Sequence, residues 1–192
     1  KVKEVEDSYS TTMTAEQRQV QAAELQAAWN TFVESLATAE INQPISGNYY
    51  RMYTPLRDNC YPTGKGADAA IIGEQNPTTK ASIWKFVKRG SNDNTYDIIN
   101  LADGTYISPA SSNNSALKCV AEQPTAGWTI KKASTNGKVL VTSTLNHAQF
   151  NQTGSGQNYQ LYNWGYNSTG FSNAYNTTDT GCQYEFIDVT DQ

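Results

Sequence analysis

Apolar and polar residues follow two rhythms along this chain. Between Ala15 and about Ala39 the rhythm is helical. Ala22, Leu25, Trp29, Phe32, Leu36 and Ala39 recur at spacings of three and four, which places an apolar stripe on one face. The intervening Ala, Gln and Glu are good or fair helix formers. Thr14 followed three residues later by Gln17 reads as a capping box that opens the helix, and Pro44 and Gly47 are the breakers that end it. The stripe predicts that Leu25, Trp29, Phe32 and Leu36 are buried against the rest of the same chain. A heptad seam to a second chain or a preceding domain is the alternative, over about three heptads. Lys1 to Met13 are polar, charged and without period, and are expected to be frayed or disordered.

From Asn48 onward the rhythm changes to short alternating runs broken by turn residues, and the runs repeat. Tyr50 to Tyr61, Tyr96 to Tyr106 and Val139 to Phe150 each give an apolar strand, a Leu, a polar turn residue and an aromatic. Leu56, Leu101 and Leu145 are 45 and 44 residues apart, followed in register by Asp58, Asp103 and His147, then Tyr61, Tyr106 and Phe150. A fixed period of this size marks a repeat architecture. An aromatic-x-apolar strand closes each copy: Trp84-Lys-Phe86, Trp128-Thr-Ile130 and Tyr184-Glu-Phe186. Such alternation describes a half-buried strand. Ala69–Ile72, Ala116–Val120 and Tyr159–Trp164 supply a further run in each copy. Four strands in each of three copies predict an all-β barrel or sandwich. The predicted core layers are Leu56, Leu101 and Leu145 in one, and Trp84, Trp128 and Tyr184 in another. The division is residues 1–44 for tail and helix, and 45–192 for the β domain. The last copy is longer, and Gly165 to Gly181 is read as its inserted loop, a length of loop that is usually functional.

Composition changes the picture in one respect. Charged residues are only 17% of the chain, and aromatics reach 11%. The remainder is rich in Asn, Gln, Ser, Thr and Gly, a balance that suits an exported β protein better than a cytosolic enzyme. The net charge of −4 comes without a basic stripe, which argues against nucleic acid. No apolar run is long enough to span a bilayer. The chain starts at Lys1 without an initiator Met or an apolar leader, as a mature exported chain or a trimmed one would. Cys60, Cys119 and Cys182 have no metal-ligand spacing. One disulfide with one free thiol, or three buried thiols, are both open. If a pair forms, Cys60 with Cys182 is favoured, because the first and last copies meet when a barrel closes.

Catalytic chemistry is poorly supplied. The single His147 supports neither a two-His metal site nor a Ser-His-Asp set, and no phosphate loop is present. Asp58 and Asp103 are repeat-equivalents on separate arms, too far apart for a paired-carboxylate glycosidase site. No cofactor, metal or catalytic residue is expected. What remains is a binding surface. Sugars present apolar ring faces edged with hydroxyls, and aromatic platforms with amide or carboxylate partners answer them. The third copy is densest in that mixture: Tyr162, Asn163, Trp164, Tyr166, Asn167, Phe171, Asn173, Tyr175 and Asn176. The candidate carbohydrate site is Trp164 or Tyr166 as platform with Asn163, Asn167 and Tyr175 nearby. Asp103 with Lys118 at its rim is the second candidate. The opposing reading makes Tyr162 and Trp164 inward strand residues and Asp103 a turn former.

Three four-strand copies closed by an aromatic-x-apolar strand resemble the β-trefoil. Tyr49-Tyr-Arg-Met, Tyr96-Asp-Ile-Ile-Asn, Gly127-Trp-Thr-Ile, Tyr162-Asn-Trp-Gly and Gly181-Cys-Gln-Tyr-Glu-Phe resemble, in this order, the ricin B-type modules attached to sialidases and other glycan-degrading enzymes of gut Bacteroidetes. The family's Gln-x-Trp places hold Ser82-Ile-Trp84, Ala126-Gly-Trp128 and Cys182-Gln-Tyr184 here. The resemblance, over about residues 45 to 189, implies one β-trefoil, preceded by the N-terminal helix read above. It also implies a non-catalytic, secreted or cell-surface carbohydrate-binding module, with the periplasm as an alternative address. Its partners would be a glycan and a neighbouring glycoside hydrolase domain. A structural or protein-interaction trefoil, with the helix carrying the contact, is the alternative; a trefoil protease inhibitor is a third.

Overall fold

A computed structural model describes residues 14–38, 43–91, 94–153 and 169–192, with the side chains of 32–38, 153 and 169 outside the description. The chain divides into two compact units between Glu40 and Ile41. The first holds α1, Ala15–Thr38. Its start is the capping box read from the sequence: Gln17 N donates to Thr14 Oγ1 at 3.2 Å, and Thr14 N donates to Gln17 Oε1 at 2.9 Å. Leu25 is 38% exposed and Trp29 is 55% exposed. Ala, Gln and Glu dilute the stripe, so capping, helix propensity and the Gln26–Asn30 side-chain bond at 2.9 Å support the helix locally. Phe32 and Leu36 side chains, and residues 1–13, lie outside the described residues.

The second unit is a β-trefoil of three copies, each with four strands. The first has β1 Tyr49–Tyr53, β2 Cys60–Thr63, β3 Ile72–Gln75 and β4 Trp84–Lys88. In the second are β5 Thr95–Asn100, β6 Tyr106–Ser108, β7 Lys118–Val120 and β8 Trp128–Lys132. The third comprises β9 Val139–Ser143, β10 Gln149–Thr153, β11 Thr169–Ala174 and β12 Glu185–Asp188. First and fourth strands build the barrel wall, and β1 pairs β12 to close it. The middle strands form antiparallel hairpins, β2–β3, β6–β7 and β10–β11.

Strand pairing gives the true repeat register. Tyr50 opposes Trp84, Tyr96 opposes Trp128, and Val139 opposes Tyr184. One core layer is therefore Met52, Ile98 and Val141, two residues on in each copy, all buried. A second ring is Ile71, Leu117 and Phe171, also buried. Backbone bonds link it, Ile71 N to Leu117 O at 3.0 Å and Leu117 N to Phe171 O at 2.9 Å. Trp84, Trp128 and Tyr184 are buried as predicted.

The leucine layer is corrected. Leu56 is 42% exposed, Leu145 is 52% exposed and Leu101 is half-buried. All three sit in the turn after the first strand, where length varies. The turn is closed by Thr54 N to Cys60 O, Asn100 N to Thr105 O and Ser143 N to Ala148 O, so the first copy carries one residue more. Leu101 N donates to Ile83 O and Thr144 N to Gly127 O, which makes Thr144 the match of Leu101. By the same shift Asn146, not His147, matches Asp103, and Phe150 joins Pro62 and Ile107. His147 (φ 58°) falls instead with Gly104 (φ 74°) and Asn59 (φ 46°) at the left-handed turn position.

The third copy is corrected as well. Its described hairpin return is β11, Thr169–Ala174, and Tyr159–Trp164 lies outside the described residues. Phe171 and Asn173, read as loop decoration, are buried strand residues. The extra length therefore falls between β10 and β11. None of the three cysteines is in a disulfide, so the Cys60–Cys182 pair does not form; all three thiols are buried. Burial pushes Cys119 up to about 11 and Cys182 up to about 12, which suppresses thiolate chemistry.

Candidate functional site

Each copy presents a polar turn after its first strand and a hairpin beside it, and the three arms differ. On the first, Asp58 takes a left-handed backbone (φ 56°). Its carbonyl accepts from Gln75 Nε2 at 2.9 Å, and Oδ2 accepts from Gln152 Nε2 at 3.4 Å. Next to it Arg57 clasps the third copy: its Nη2 lies 2.6 Å from Asp179 Oδ1, and its Nη1 donates to Gln152 O at 2.9 Å. This turn is a seam between copies.

On the second arm Asp103 is exposed, and its Oδ1 accepts from Thr105 N at 3.0 Å and Thr105 Oγ1 at 2.7 Å. That carboxylate oxygen caps its own turn, the role of a turn former. Lys118 is exposed but does not rim Asp103. The β6–β7 register pairs Ser108 with Lys118 and Tyr106 with Val120, so Lys118 stands at the far end of the hairpin from the turn.

On the third arm Asn146 Oδ1 accepts from Ala148 N at 3.1 Å, and its Nδ2 donates to Ala110 O at 2.9 Å. Tyr175 leaves β11 one residue beyond the Gln149–Ala174 pair and is 53% exposed. Asn176 follows, and its Oδ1 accepts from Thr178 N at 3.0 Å and Thr178 Oγ1 at 2.9 Å. Asn163, Trp164, Tyr166 and Asn167 lie outside the described residues. Of the sequence-predicted set, then, Tyr175 is the exposed aromatic found on an arm, and Asp103 and Lys118 are not brought together.

Sequence reasoning missed a pair on the first copy. Tyr53 and Tyr61 stack with ring centroids 5.3 Å apart and planes 17° apart. The Tyr53 hydroxyl donates to Glu185 Oε2, and Lys138 Nζ bonds Glu185 Oε1. The bond to Glu185 holds the Tyr53 phenol up at about 12, and Lys138, then Tyr53, hold the Glu185 carboxyl below its ordinary value. In the sequence the two rings stand eight positions apart on either side of the first turn, and their spacing does not mark them as a pair.

No constellation for metal binding occurs: among the described residues no group of three or more His, Cys, Asp or Glu could hold an ion. No helix among them is long and apolar enough to cross a membrane.

No protein-family model matches the chain, and no curated protein does either. Solved structures match in fold. A β-trefoil described as BEL is 13% identical with a TM-score of 0.62, over 77% of this chain and 97% of its own. The Polyporus squamosus lectin, bound to a human-type influenza-binding epitope, is 13% identical with a TM-score of 0.60, over 76% of this chain and 50% of its own. A Macrolepiota procera ricin B-like lectin in complex with lactose is 15% identical with a TM-score of 0.56, over 76% of this chain and 98% of its own. These likenesses establish the fold.

Proposed function

We propose that this chain is a non-catalytic glycan-binding module of an exported bacterial protein, acting at the cell surface or outside it beside a carbohydrate-degrading domain. The observation that carries the reading is Tyr175, a ring half open to solvent where β11 leaves the third arm, followed by the polar turn at Asn176 to Thr178. The neighbouring stretch 163–167 adds Trp164, Tyr166, Asn163 and Asn167 in sequence. Trefoil lectins among the matched structures support the class of ligand. An exposed ring under one sugar gives a modest gain, so affinity is expected at roughly millimolar to micromolar, about 4–8 kcal/mol.

The test is titration of the full chain with lactose, sialyllactose, maltotriose and chitotriose, for wild type, Tyr175→Ala, Trp164→Ala and Asp103→Asn. Folding is checked by circular dichroism. Loss of about tenfold in affinity, some 1.4 kcal/mol, for Tyr175→Ala or Trp164→Ala supports the third arm. Wild-type binding in all three variants removes it together with Asp103. Silence of the wild type toward the whole panel favours the second reading, a protein-interaction trefoil. The exposure of Val20 and Leu25 on α1 is the observation behind that reading.

A further inference from the structure

Strand registers bring two residues of the barrel wall and two of the first hairpin into one line. Tyr53 opposes Glu185 on β12, the Thr54–Cys60 bridge sets Tyr53 beside Tyr61, and Tyr61 opposes Glu74 on β3. Alternation turns the line outward, because Tyr50 and Met52 fill the core while Tyr53 stays half-exposed. At one end Lys138 bonds Glu185, and at the other Lys65 Nζ lies 3.1 Å from Glu74 Oε1. The line is thus an ion pair, two parallel rings and a second ion pair. It crosses three strand spacings, ~14 Å, more than one sugar ring needs.

A cross-strand aromatic pair contributes to a sheet by itself, but the fold does not require this one. The pairings that match Tyr50 with Tyr96 and Val139 put Ile99 and Thr142 at the Tyr53 position. Lys85 and Thr129 then stand for Glu185, Tyr106 and Gln149 for Tyr61, and Val120 and Ala174 for Glu74. The scaffold forms twice without the arrangement.

We infer that this line is a second saccharide site, taking an extended, uncharged oligosaccharide of at least two rings laid across β12, β1, β2 and β3. One sugar face rests on the outer face of Tyr61. Ring hydroxyls donate to Glu74 Oε2, the oxygen that Lys65 leaves open, and accept from Lys65. Tyr53 backs the Tyr61 ring and is itself held by Glu185. The Tyr53 phenol, kept up at about 12, stays a neutral donor across the working pH range. The inference rests on the glycan-binding reading and adds a site distinct from the third arm.

The experiment uses the same four sugars and the full chain, with Tyr61→Ala, Tyr61→Phe, Glu74→Gln and Tyr175→Ala. Maltotriose or chitotriose binding is expected to fall about tenfold in Tyr61→Ala, some 1.4 kcal/mol. Tyr61→Phe should restore it, and Glu74→Gln should weaken it severalfold with an unchanged melting temperature. Binding that remains in Tyr175→Ala should fall again when Tyr61→Ala is added to it. If Tyr61→Ala does not fold, Glu74→Gln decides. Folded Tyr61→Ala and Glu74→Gln that bind every sugar as wild type does would overturn this site while leaving the glycan-binding reading intact. A wild type that binds none of the four overturns both.

Discussion

Three equivalent positions in the barrel give opposite answers to the same substitution. Trp84 Nε1 donates to Pro62 O at 3.0 Å, and Trp128 Nε1 donates to Ile107 O at 2.9 Å. Tyr184 occupies the third position, with its ring stacked on Phe150 at 5.6 Å and 17°. Its hydroxyl is buried and has no hydrogen-bond partner among the described residues. Phe at Trp84 or Trp128 removes a donor and strands a buried carbonyl, costing about 1–3 kcal/mol. The smaller ring also leaves a void, so the total should reach roughly 3–5 kcal/mol. At Tyr184 the Phe substitution removes a buried polar atom that forms no bond. The desolvation penalty of about 1–3 kcal/mol is relieved, with only one atom's packing lost. Tyr184→Phe is therefore expected to be neutral or stabilising by up to about 2 kcal/mol, a rise of several degrees at most. Urea unfolding followed by tryptophan fluorescence measures all three on one scale. Destabilisation of Tyr184→Phe by more than about 1 kcal/mol would refute the reasoning, because the hydroxyl would then have an acceptor.

Two further outcomes follow from polar contacts. Arg89 donates through Nε and Nη2 to Asp97 Oδ1 at 2.9 and 2.6 Å, and through Nη1 to Thr125 O at 2.7 Å, tying the segment before Trp128 to β5. Arg89→Ala leaves the buried Asp97 carboxylate without its cation and should cost about 3–5 kcal/mol in urea unfolding. Asp188 accepts from Thr190 Oγ1 and N and from Asn48 Nδ2, and these bonds hold its pKa down at about 2. A depressed carboxylate stabilises the fold above its unfolded value near 3.8, and that contribution disappears as pH falls from there through about 2. Melting temperatures across that window should fall more steeply for wild type than for Asp188→Asn.

The fold was legible because trefoil periodicity is written in large residues. The closing strands keep Trp84, Trp128 and Tyr184 at a matched place, and burial alone enforces this. The finer register was not legible, because leucines in the turns imitate a core layer. Leu56, Leu101 and Leu145 keep nearly the right spacing, but the first turn is one residue longer and Leu145 stands one past Thr144, the match of Leu101. A slip of one residue exchanges inward and outward faces, and only the ladder bonds reveal it. The site was less legible still. Asp103 has the composition of a ligand-binding carboxylate, yet its Oδ1 serves its own turn. Tyr53 and Tyr61 are eight positions apart, and the bridge that sets them side by side is a tertiary fact.

The copies do not share their polar burden evenly. Gln149, Asn151, Gln152, Ser172 and Asn173 are all buried on β10 and β11, beside the apolar Phe150 and Phe171 that match Ile107 and Leu117 of the second copy. Asn151 Oδ1, Ser172 Oγ and Asn173 Oδ1 have no hydrogen-bond partner among the described residues, as with the Tyr184 hydroxyl. Each such atom costs of order 1–3 kcal/mol, and among the described residues the hairpins of the other two copies hold none. Sequences that break local rules in one place while keeping them elsewhere do so where another demand outweighs stability. The third copy also carries the added length and the exposed Tyr175. Stability lost on β10 and β11 and an open ring at the end of β11 therefore coincide on one arm. If that arm serves binding, replacing its unpartnered buried amides with apolar residues of similar volume should raise stability and weaken sugar binding together. A gain in stability with binding unchanged would separate the two and return the third arm to the status of a drifted repeat.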